Sequence, residues 1–438
     1  MSSGSLGAAL PVLPTPQLAT ALLHTDDPDH KTHANHSVAP SIQTSTTFRS
    51  APFDSQIATD IRNGAPLNWQ DPGIEIYSRY NQDTRGRTEK VLSKLMGAEA
   101  ITFGSGVAAG HACMQHYAPS VIAIRKGYMG IHAAIAVYRR GRTDLKIIDL
   151  DDEYPTLSKT EAEKDGVRRG GLLVWVETPL NPTGEVRDLK RYVQKAHAAG
   201  GYIGVDATLA PPPLQDPFKQ GADFVMHSAT KYMGGHSDLL VGVVAVKSKV
   251  EWESLFWYRV ATGAVPGNLE SYLLLRSLRT ITLRVQRQSE TAHKLAQWLY
   301  SLTVDAAHPS EDVEDKELVG GKVVEWVWHG SLQPRNDKDP SARPTEGADF
   351  DPRDQMPGGF SACFSIRFAS AGQAAKVPHS TEYFTPATSL GGVESLLEHR
   401  ILSQASEDPR LVRISVGLED FADLQADLRR AFQANLSA

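Results

Sequence analysis

Short apolar runs alternate with helical stretches along the chain from about residue 90 onward. The runs at 121–124, 145–148, 172–176, 202–205 and 240–246 are rich in β-branched residues and predict strands. Asp188 is the predicted N-cap of one connecting helix, whose apolar stripe includes Leu189 and Tyr192 and which ends at Gly200. Strands separated by helices are typical of parallel sheets, so we predict an α/β fold with a mostly parallel central sheet.

A change in composition near residue 300 predicts two domains behind an N-terminal arm. We place the arm at 1–70, a large domain at 71–300 and a smaller C-terminal α/β domain at 301–438. A helical region with many arginines, 269–302, precedes the boundary. The segment 333–359 is too long and polar for an ordinary connection. We expect a surface insertion there without a role in chemistry, and a lid is the alternative.

Charge and hydropathy narrow the classes of partner. The chain carries 45 Lys and Arg against 51 Asp and Glu, a net charge of -6, so nucleic acid is not expected as a partner. No apolar run approaches the roughly 20 residues of a membrane span. Residues 1–30 lack the basic flank of a targeting peptide. We therefore expect a cytoplasmic protein that does not bind membranes.

Metal and disulfide chemistry have little support in the sequence. The two cysteines, Cys113 and Cys363, have the spacing of neither a zinc site nor a disulfide framework. His30, His33 and His36 lie in the arm, where no regular element fixes their geometry. We predict no metal site.

A glycine-containing loop, Gly104-Ser105-Gly106, follows a short predicted strand and opens a helix. The dinucleotide-binding pattern that it loosely matches requires an acidic residue about 20 positions later. No Asp or Glu occurs between Glu99 and Asp144, which disfavours a nicotinamide cofactor. Glycine lets backbone N–H groups approach an anion at a helix N-terminus, so we expect the loop to bind a single phosphate group.

Two acidic residues end two predicted strands that we expect to be neighbours. Glu177 follows the run 172–176, and Asp206 follows the run 202–205. A single acid at a strand end is more often a helix cap or a loop acceptor. Ligands of parallel sheets bind beyond the carboxyl ends of the strands, so the coincidence of two acids favours a site there.

Lys231 lies among hydroxyl-bearing and small residues in the segment 227–236, just after the apolar run 224–226. Taken alone, such a lysine is more often a solvated surface residue. A desolvated lysine has a lowered pKa and can attack an aldehyde, while Ser228 and Thr230 can donate hydrogen bonds to a phosphate. Together with the phosphate loop and Asp206, Lys231 completes the constellation that binds pyridoxal 5′-phosphate.

Several motifs resemble those of the cystathionine γ-synthase-like family, the Cys/Met-metabolism branch of fold type I pyridoxal-phosphate enzymes. They are Tyr77-Ser78-Arg79-Tyr80, Gly104-Ser105-Gly106, Glu177-Thr178-Pro179-Leu180-Asn181-Pro182, Val205-Asp206, Ser228-Ala229-Thr230-Lys231-Tyr232, Ser389-Leu390-Gly391-Gly392-Val393-Glu394-Ser395 and Arg413-Ile414-Ser415-Val416-Gly417. They occur in the family's order across about residues 40–435. The resemblance implies the fold type I transferase architecture, similar to that of aspartate aminotransferase.

The resemblance also implies roles around the cofactor. Lys231 would bind the cofactor aldehyde and then move protons, Asp206 would pair with the pyridine nitrogen, and Tyr128 would stack on the ring. The backbone of Gly106 and Val107 would bind the phosphate, together with the hydroxyls of Ser228 and Thr230.

Residues from a second chain and residues for the substrate complete the implied site. Tyr77 and Arg79 would reach in from a neighbouring subunit, which implies a homo-oligomer of dimers, such as a tetramer. Arg413 matches the arginine that binds the substrate carboxylate with its planar donors. Asn181 and the backbone near Ser389 and Leu390 would assist it.

The chain departs from the family pattern at three places. Ala207 follows Asp206 where relatives usually have asparagine, and Gln82-Asp83 replaces the usual Asn-Pro. The segment 400–405, Arg-Ile-Leu-Ser-Gln-Ala, replaces a Pro-Ala-Ser-Met-Thr-His-like loop. That loop borders the substrate side in relatives, so the choice of substrate stays open.

The implied reaction is γ-replacement on an O-acyl-homoserine, with a small-molecule nucleophile that attacks through sulfur or carbon. Cysteine, sulfide, another thiol or an enolate are the candidate nucleophiles. A cystathionine or methionine lyase is the alternative, since it uses the same Lys231 chemistry. A non-catalytic protein that binds pyridoxal phosphate is disfavoured by the joint presence of Lys231, Asp206, Tyr128 and Arg413.

Overall fold

The computed structural model describes residues 15–26, 38–70, 73–156, 163–164, 166–333 and 350–437. His30, His33 and His36 lie outside the described residues, as does most of the expected insertion at 333–359. Within the described ranges, no helix combines the length and the apolar character that crossing a bilayer requires.

Helices and strands alternate through the first two thirds of the chain. The helices are α1 Leu18–His24, α2 Gln56–Arg62, α3 Asp83–Met96, α4 Gly106–Tyr117, α5 Met129–Tyr138, α6 Leu189–Ala198, α7 Lys249–Thr262, α8 Asn268–Leu278, α9 Ile281–Ser301, α10 Pro352–Gln355, α11 Ala371–Lys376 and α12 Phe421–Ala434. The strands are β1 Glu99–Phe103, β2 Val121–Ile124, β3 Lys146–Ile148, β4 Leu172–Glu177, β5 Tyr202–Asp206, β6 Phe224–Ser228, β7 Gly242–Val246, β8 Val324–Trp328, β9 Cys363–Phe368, β10 Thr385–Pro386, β11 Leu396–His399 and β12 Leu411–Ser415.

The central sheet has seven strands in the order β1-β7-β6-β5-β4-β2-β3. Strands β2 to β6 pair in parallel, which confirms the predicted α/β fold with a mostly parallel sheet. The exception is β7, which runs antiparallel to both β1 and β6. It begins at Gly242, two residues later than the apolar run indicates.

Helices cover both faces of this sheet. Alternate side chains of β4 enter different core clusters: Val174 and Val176 pack with α6, while Leu173 and Trp175 pack with α4 and α5. Burial on both faces explains why β4 is apolar at successive positions rather than at every second one. The polar residue Glu177 appears only where the strand ends.

The predicted connecting helix that begins after Asp188 is confirmed, whereas the predicted helical region 269–302 consists of two helices. Asp188 caps α6 by accepting a hydrogen bond from the Arg191 N–H. The predicted helical region 269–302 forms two helices, α8 and α9, that separate at Arg279 and Thr280. Arg284 supports the break, because its guanidinium donates to the carbonyl oxygen of Ser277 at the end of α8.

A second sheet has five strands in the order β10-β11-β12-β9-β8. All of its pairs are antiparallel except that of β10 with β11. In the β11–β12 pair, Glu398 lies opposite Arg413. A short 3-10 turn, Arg400–Leu402, follows β11. The segment 400–405, which differs from the family pattern, therefore begins directly after this strand pair.

Candidate active site

A cavity of about 820 Å³ lies at the carboxyl ends of β4, β5 and β6 and is lined by residues of both sheets. Parallel strands end on the same side of a sheet, so their terminal residues converge there. The cavity contains every predicted site residue except Tyr77 and Arg79: Gly106, Val107, Tyr128, Asn181, Asp206, Ser228, Thr230, Lys231, Ser389, Leu390 and Arg413.

The two acids at the strand ends are direct neighbours, since Glu177 and Asp206 pair in the register of β4 and β5. Asp206 Oδ1 accepts hydrogen bonds from the backbone and hydroxyl of Thr208, at 3.1 and 2.6 Å. Among the described residues, no group donates to Asp206 Oδ2. Burial raises the pKa of Asp206, because a low dielectric disfavours the charged form.

Glu177 connects two segments of the cavity wall. Its Oε2 accepts from the Tyr128 N–H at 2.6 Å, and its Oε1 accepts from the Asn181 N–H at 2.7 Å. Gly127 has φ +92°, and a Cβ there would approach Glu177 Oε2 to 2.5 Å. Burial and then the charge of Asp206 raise the pKa of Glu177. Glu177 therefore positions Tyr128 and Asn181 and is not placed to react itself.

The N-terminus of α4 forms the proposed phosphate end of the cavity. Ser105 caps the helix by accepting from the Ala108 N–H, and the N–H groups of Gly106 and Val107 bond no described residue. A Cβ on Gly106 would lie 2.9 Å from the Ser228 Cβ, so only glycine allows this close approach. Two free N–H groups beside the Ser228 hydroxyl are suited to an anion.

Lys231 follows β6 and points into the cavity, where its Nζ donates to Ser389 Oγ at 2.8 Å. Burial lowers the pKa of Lys231, and the positive charge of Arg413 lowers it further. Ser389 has φ +81°, a strained conformation for a residue with a Cβ. The strained backbone holds the Ser389 side chain toward Lys231 and its carbonyl toward Arg413.

Arg413 is buried in the wall of the cavity. Its Nη1 donates to Asn181 Oδ1 at 2.9 Å, and its Nη2 donates to the Ser389 carbonyl oxygen at 2.7 Å. These two contacts fix the plane of the guanidinium. The resemblance placed Arg413, Asn181 and Ser389 together, and the structure brings them into direct contact.

Sequence reasoning missed a carboxylate beside Arg413. Glu398 Oε2 lies 2.5 Å from Arg413 Nη2, and its Oε1 accepts from Arg400 Nη1 at 3.0 Å. Ser403 also donates to Oε1. The signal for Glu398 is its place opposite Arg413, which becomes visible only when the strand register is known.

Tyr77 and Arg79 lie outside the cavity of their own chain. Tyr77 forms an isolated bridge with Thr47 and is 43% exposed. Arg79 Nη1 donates to the carbonyl oxygen of Val260 at 3.0 Å. Their expected role in a neighbouring subunit stays a prediction.

The groups around the cavity fit pyridoxal phosphate. Asp206 Oδ2 can accept a hydrogen bond from a protonated ring nitrogen. The backbone N–H groups at the start of α4 can bind a phosphate, and the amine of Lys231 can bind an aldehyde. Tyr128, 46% exposed at the start of α5, lies near the phosphate end, since a Cβ on Gly130 would clash with Tyr128 Cε1 and would lie 3.0 Å from Val107 Cγ2. The three groups that the cofactor requires are thus present in one cavity.

Comparisons with known proteins agree with this geometry. The model of the family described as Cys/Met metabolism PLP-dependent enzyme matches residues 19–433. Cystathionine gamma-lyase of Saccharomyces cerevisiae is 32% identical over 398 residues, which cover 86% of this chain and 91% of the relative. Cystathionine gamma-synthase of Mycobacterium bovis is 32% identical over 372 residues, which cover 81% of this chain and 85% of the relative.

A solved structure shows the same architecture. The crystal structure of metB from Corynebacterium glutamicum superposes with a TM-score of 0.74 at 28% sequence identity, covering 96% of this chain and 99% of that one. The relatives include both a lyase and a synthase by name. The chain belongs to the Cys/Met-metabolism family of pyridoxal-phosphate-dependent enzymes.

Proposed function

We propose that this enzyme catalyses γ-replacement on an O-acyl-homoserine and joins Cγ of the amino acid to a sulfur or carbon nucleophile. One observation carries the proposal. Lys231 and Arg413 both donate hydrogen bonds to Ser389. Lys231 Nζ lies 2.8 Å from Ser389 Oγ, and Arg413 Nη2 lies 2.7 Å from the Ser389 carbonyl oxygen. An amino acid held by its carboxylate on Arg413 therefore presents its Cα to the amine of Lys231.

The size of the cavity is compatible with a replacement reaction. Its volume of about 820 Å³ lies in the upper part of the range of ~300–1,000 Å³ for ligand pockets. Ser403, Gln404 and Glu407, which follow β11, line the side contributed by the second sheet. This volume leaves room for a nucleophile beside the cofactor and the amino-acid donor.

Each residue has a defined task in this reaction. Pyridoxal phosphate, when bound, supplies an electron sink for charge that develops at Cα. Arg413 and Asn181 hold the substrate carboxylate, and Asp206 holds the proton of the ring nitrogen. Lys231, whose pKa is lowered by burial, accepts the proton from Cα as a neutral amine.

The overall reaction is balanced without an oxidant or reductant. The Cγ–O bond breaks, and the acyl group leaves as a free carboxylate with the bonding electron pair. A Cγ–S or Cγ–C bond forms, and the nucleophile loses one proton. Without a nucleophile, protonation and hydrolysis of the same substrate release 2-oxobutyrate and ammonia, which is the outcome that a lyase gives.

Product analysis tests the proposal. We would incubate the purified holoenzyme with O-acetyl-homoserine alone and then with cysteine, sulfide or acetoacetate, and identify the products by mass spectrometry. We expect a new amino acid that contains the added nucleophile. Formation of 2-oxobutyrate alone, together with cleavage of cystathionine, would assign the enzyme as a lyase.

A further inference from the structure

We propose that Arg400 selects the nucleophile by binding a carboxylate of the second substrate, an inference that rests on the proposed γ-replacement. Arg400 begins the 3-10 turn after β11 and lines the same cavity as Lys231 and Arg413. Its side chain is only 8% exposed. A guanidinium buried beside a reaction cavity is costly unless its donors are used.

One edge of the Arg400 guanidinium lacks hydrogen-bond acceptors among the described residues. Nη1 donates to Glu398 Oε1 at 3.0 Å, so the opposite edge is formed by Nε and Nη2. Nε is buried without a partner, and Nη2 lies 3.8 Å from Glu407 Oε1, beyond hydrogen-bonding distance. This pair of donors has the geometry that binds a carboxylate through two parallel hydrogen bonds.

Glu407 marks the place of the incoming carboxylate. Its side chain lines the cavity, is 22% exposed and approaches Arg400 through charge attraction alone. Replacing one carboxylate by another leaves the net charge beside Arg400 unchanged, so the exchange adds no unpaired buried charge. Glu407 can therefore move aside for a ligand that completes both hydrogen bonds.

The two guanidinium groups divide the cavity between two anionic substrates. Glu398 lies between them, 2.5 Å from Arg413 Nη2 and 3.0 Å from Arg400 Nη1. Arg413 takes the carboxylate of the donor, and Arg400 takes that of the nucleophile. The favoured nucleophiles are thus a thiol carboxylate or a β-keto carboxylate, and neutral nucleophiles gain nothing from Arg400.

Matched pairs of nucleophiles test this inference. The donor in each assay is O-acetyl-homoserine. For thiol nucleophiles, we compare 3-mercaptopropionate, which carries a carboxylate, with 2-mercaptoethanol, which carries a hydroxyl in its place. Acetoacetate and acetylacetone provide the same comparison for carbon nucleophiles. We expect Arg400→Gln to raise the KM of the carboxylate-bearing partner about 10- to 100-fold more than that of the neutral partner. If the thiol pair shows this difference in KM, the nucleophile attacks through sulfur. If the acetoacetate pair shows it, the nucleophile attacks through carbon.

Further variants separate binding from support of the fold. We expect Glu407→Gln to lower the KM of the carboxylate-bearing nucleophile, because it removes the competing carboxylate. Arg400→Lys should give an intermediate KM and replaces Arg400→Gln if the latter loses its cofactor absorbance. Arg410→Gln is the control, since Arg410 pairs with Glu325 and Asp408 outside the cavity.

Each outcome has a distinct meaning. Equal increases in KM for the charged and neutral partners, or an increased KM for the donor alone, would overturn the role of Arg400 and leave γ-replacement in place. Absence of any replacement product with the wild-type enzyme, while O-acetyl-homoserine is consumed, would instead refute the proposed function.

Discussion

Glu398 lies directly opposite Arg413 in the β11–β12 pair, and their side chains form a buried ion pair at 2.5 Å. The same carboxylate accepts a hydrogen bond from Arg400. One buried carboxylate thus serves two guanidinium groups. Taking three charges out of water is repaid only through their mutual pairing, so the loss of the shared partner should be severe.

Glu398→Gln should therefore destabilise the enzyme by about 3 kcal/mol, because it leaves two buried guanidinium groups without their shared carboxylate. Thermal melting followed by circular dichroism measures the effect. Glu325→Gln is a matched control, since Glu325 also serves two arginines, Arg367 and Arg410, but is 37% exposed. We expect the control to lose less than about 1 kcal/mol, and equal losses would show that burial of Glu398 is unimportant.

Lys231→Ala should abolish turnover and change the visible spectrum of the bound cofactor, since it removes the amine that lies beside Ser389 in the cavity. The fold should persist, because Ser389 Oγ is the one hydrogen-bond partner of the Lys231 side chain among the described residues. Lys219→Ala is the control, as its side chain is 81% exposed on the surface. Normal turnover by Lys231→Ala would refute the assignment of the reactive amine.

The pH dependence of cofactor capture reports the electrostatics around Lys231. Burial and Arg413 lower the pKa of Lys231 from 10.5, and Glu398 raises it. Only the neutral amine attacks an aldehyde, so capture by the apoenzyme should accelerate as the pH rises through this pKa. Glu398→Gln should shift the acceleration to lower pH and Arg413→Gln to higher pH, as measured by stopped-flow absorbance. Identical pH profiles for the variants would contradict this account.

Asp206→Asn should lower kcat/KM about 100-fold or more, because the neutral amide no longer stabilises a protonated ring nitrogen. Oδ2 has no donor among the described residues, so the folded protein should tolerate the change. Absorbance titration with the cofactor measures binding separately from turnover. Asp206→Glu, which keeps the charge, should retain more activity, and equal losses in both variants would show that the charge is not what matters.

A mixing experiment tests whether Arg79 acts in a neighbouring subunit. Arg79→Ala should weaken cofactor binding, although Arg79 bonds Val260 and lies outside the cavity of its own chain. Refolding Arg79→Ala together with Lys231→Ala would create some sites with both native residues. Recovered activity is the expected result, whereas mixtures no more active than the separate variants would place Arg79 in its own chain's site.

Much of the fold follows from local pattern, because burial on both faces makes the parallel strands continuous apolar runs. The strand-end acids Glu177 and Asp206 were predicted as neighbours and are paired in register. The antiparallel direction of β7 could not be predicted, since an apolar run has the same composition in either direction. The break at Thr280 has no glycine or proline to announce it, and the supporting contact from Arg284 is tertiary.

The site was predictable only where a motif carries it. Lys231, Asp206 and Arg413 follow from residue types in context or from the family resemblance, and the structure brings them into one cavity. Glu398 was missed because only the strand register shows that it lies opposite Arg413. The role proposed for Arg400 was missed because only the structure shows that its Nε is buried without a hydrogen-bond partner among the described residues. The positioning role of Glu177 also required the structure, which shows that both of its oxygens accept hydrogen bonds from backbone N–H groups.

The most direct test of γ-replacement is the partition of one donor between two products. We would saturate the holoenzyme with O-acetyl-homoserine, increase the concentration of the nucleophile, and quantify the replacement product and 2-oxobutyrate in the same sample. We expect the replacement product to become dominant while 2-oxobutyrate falls correspondingly. Release of 2-oxobutyrate that is unaffected by every nucleophile would contradict it.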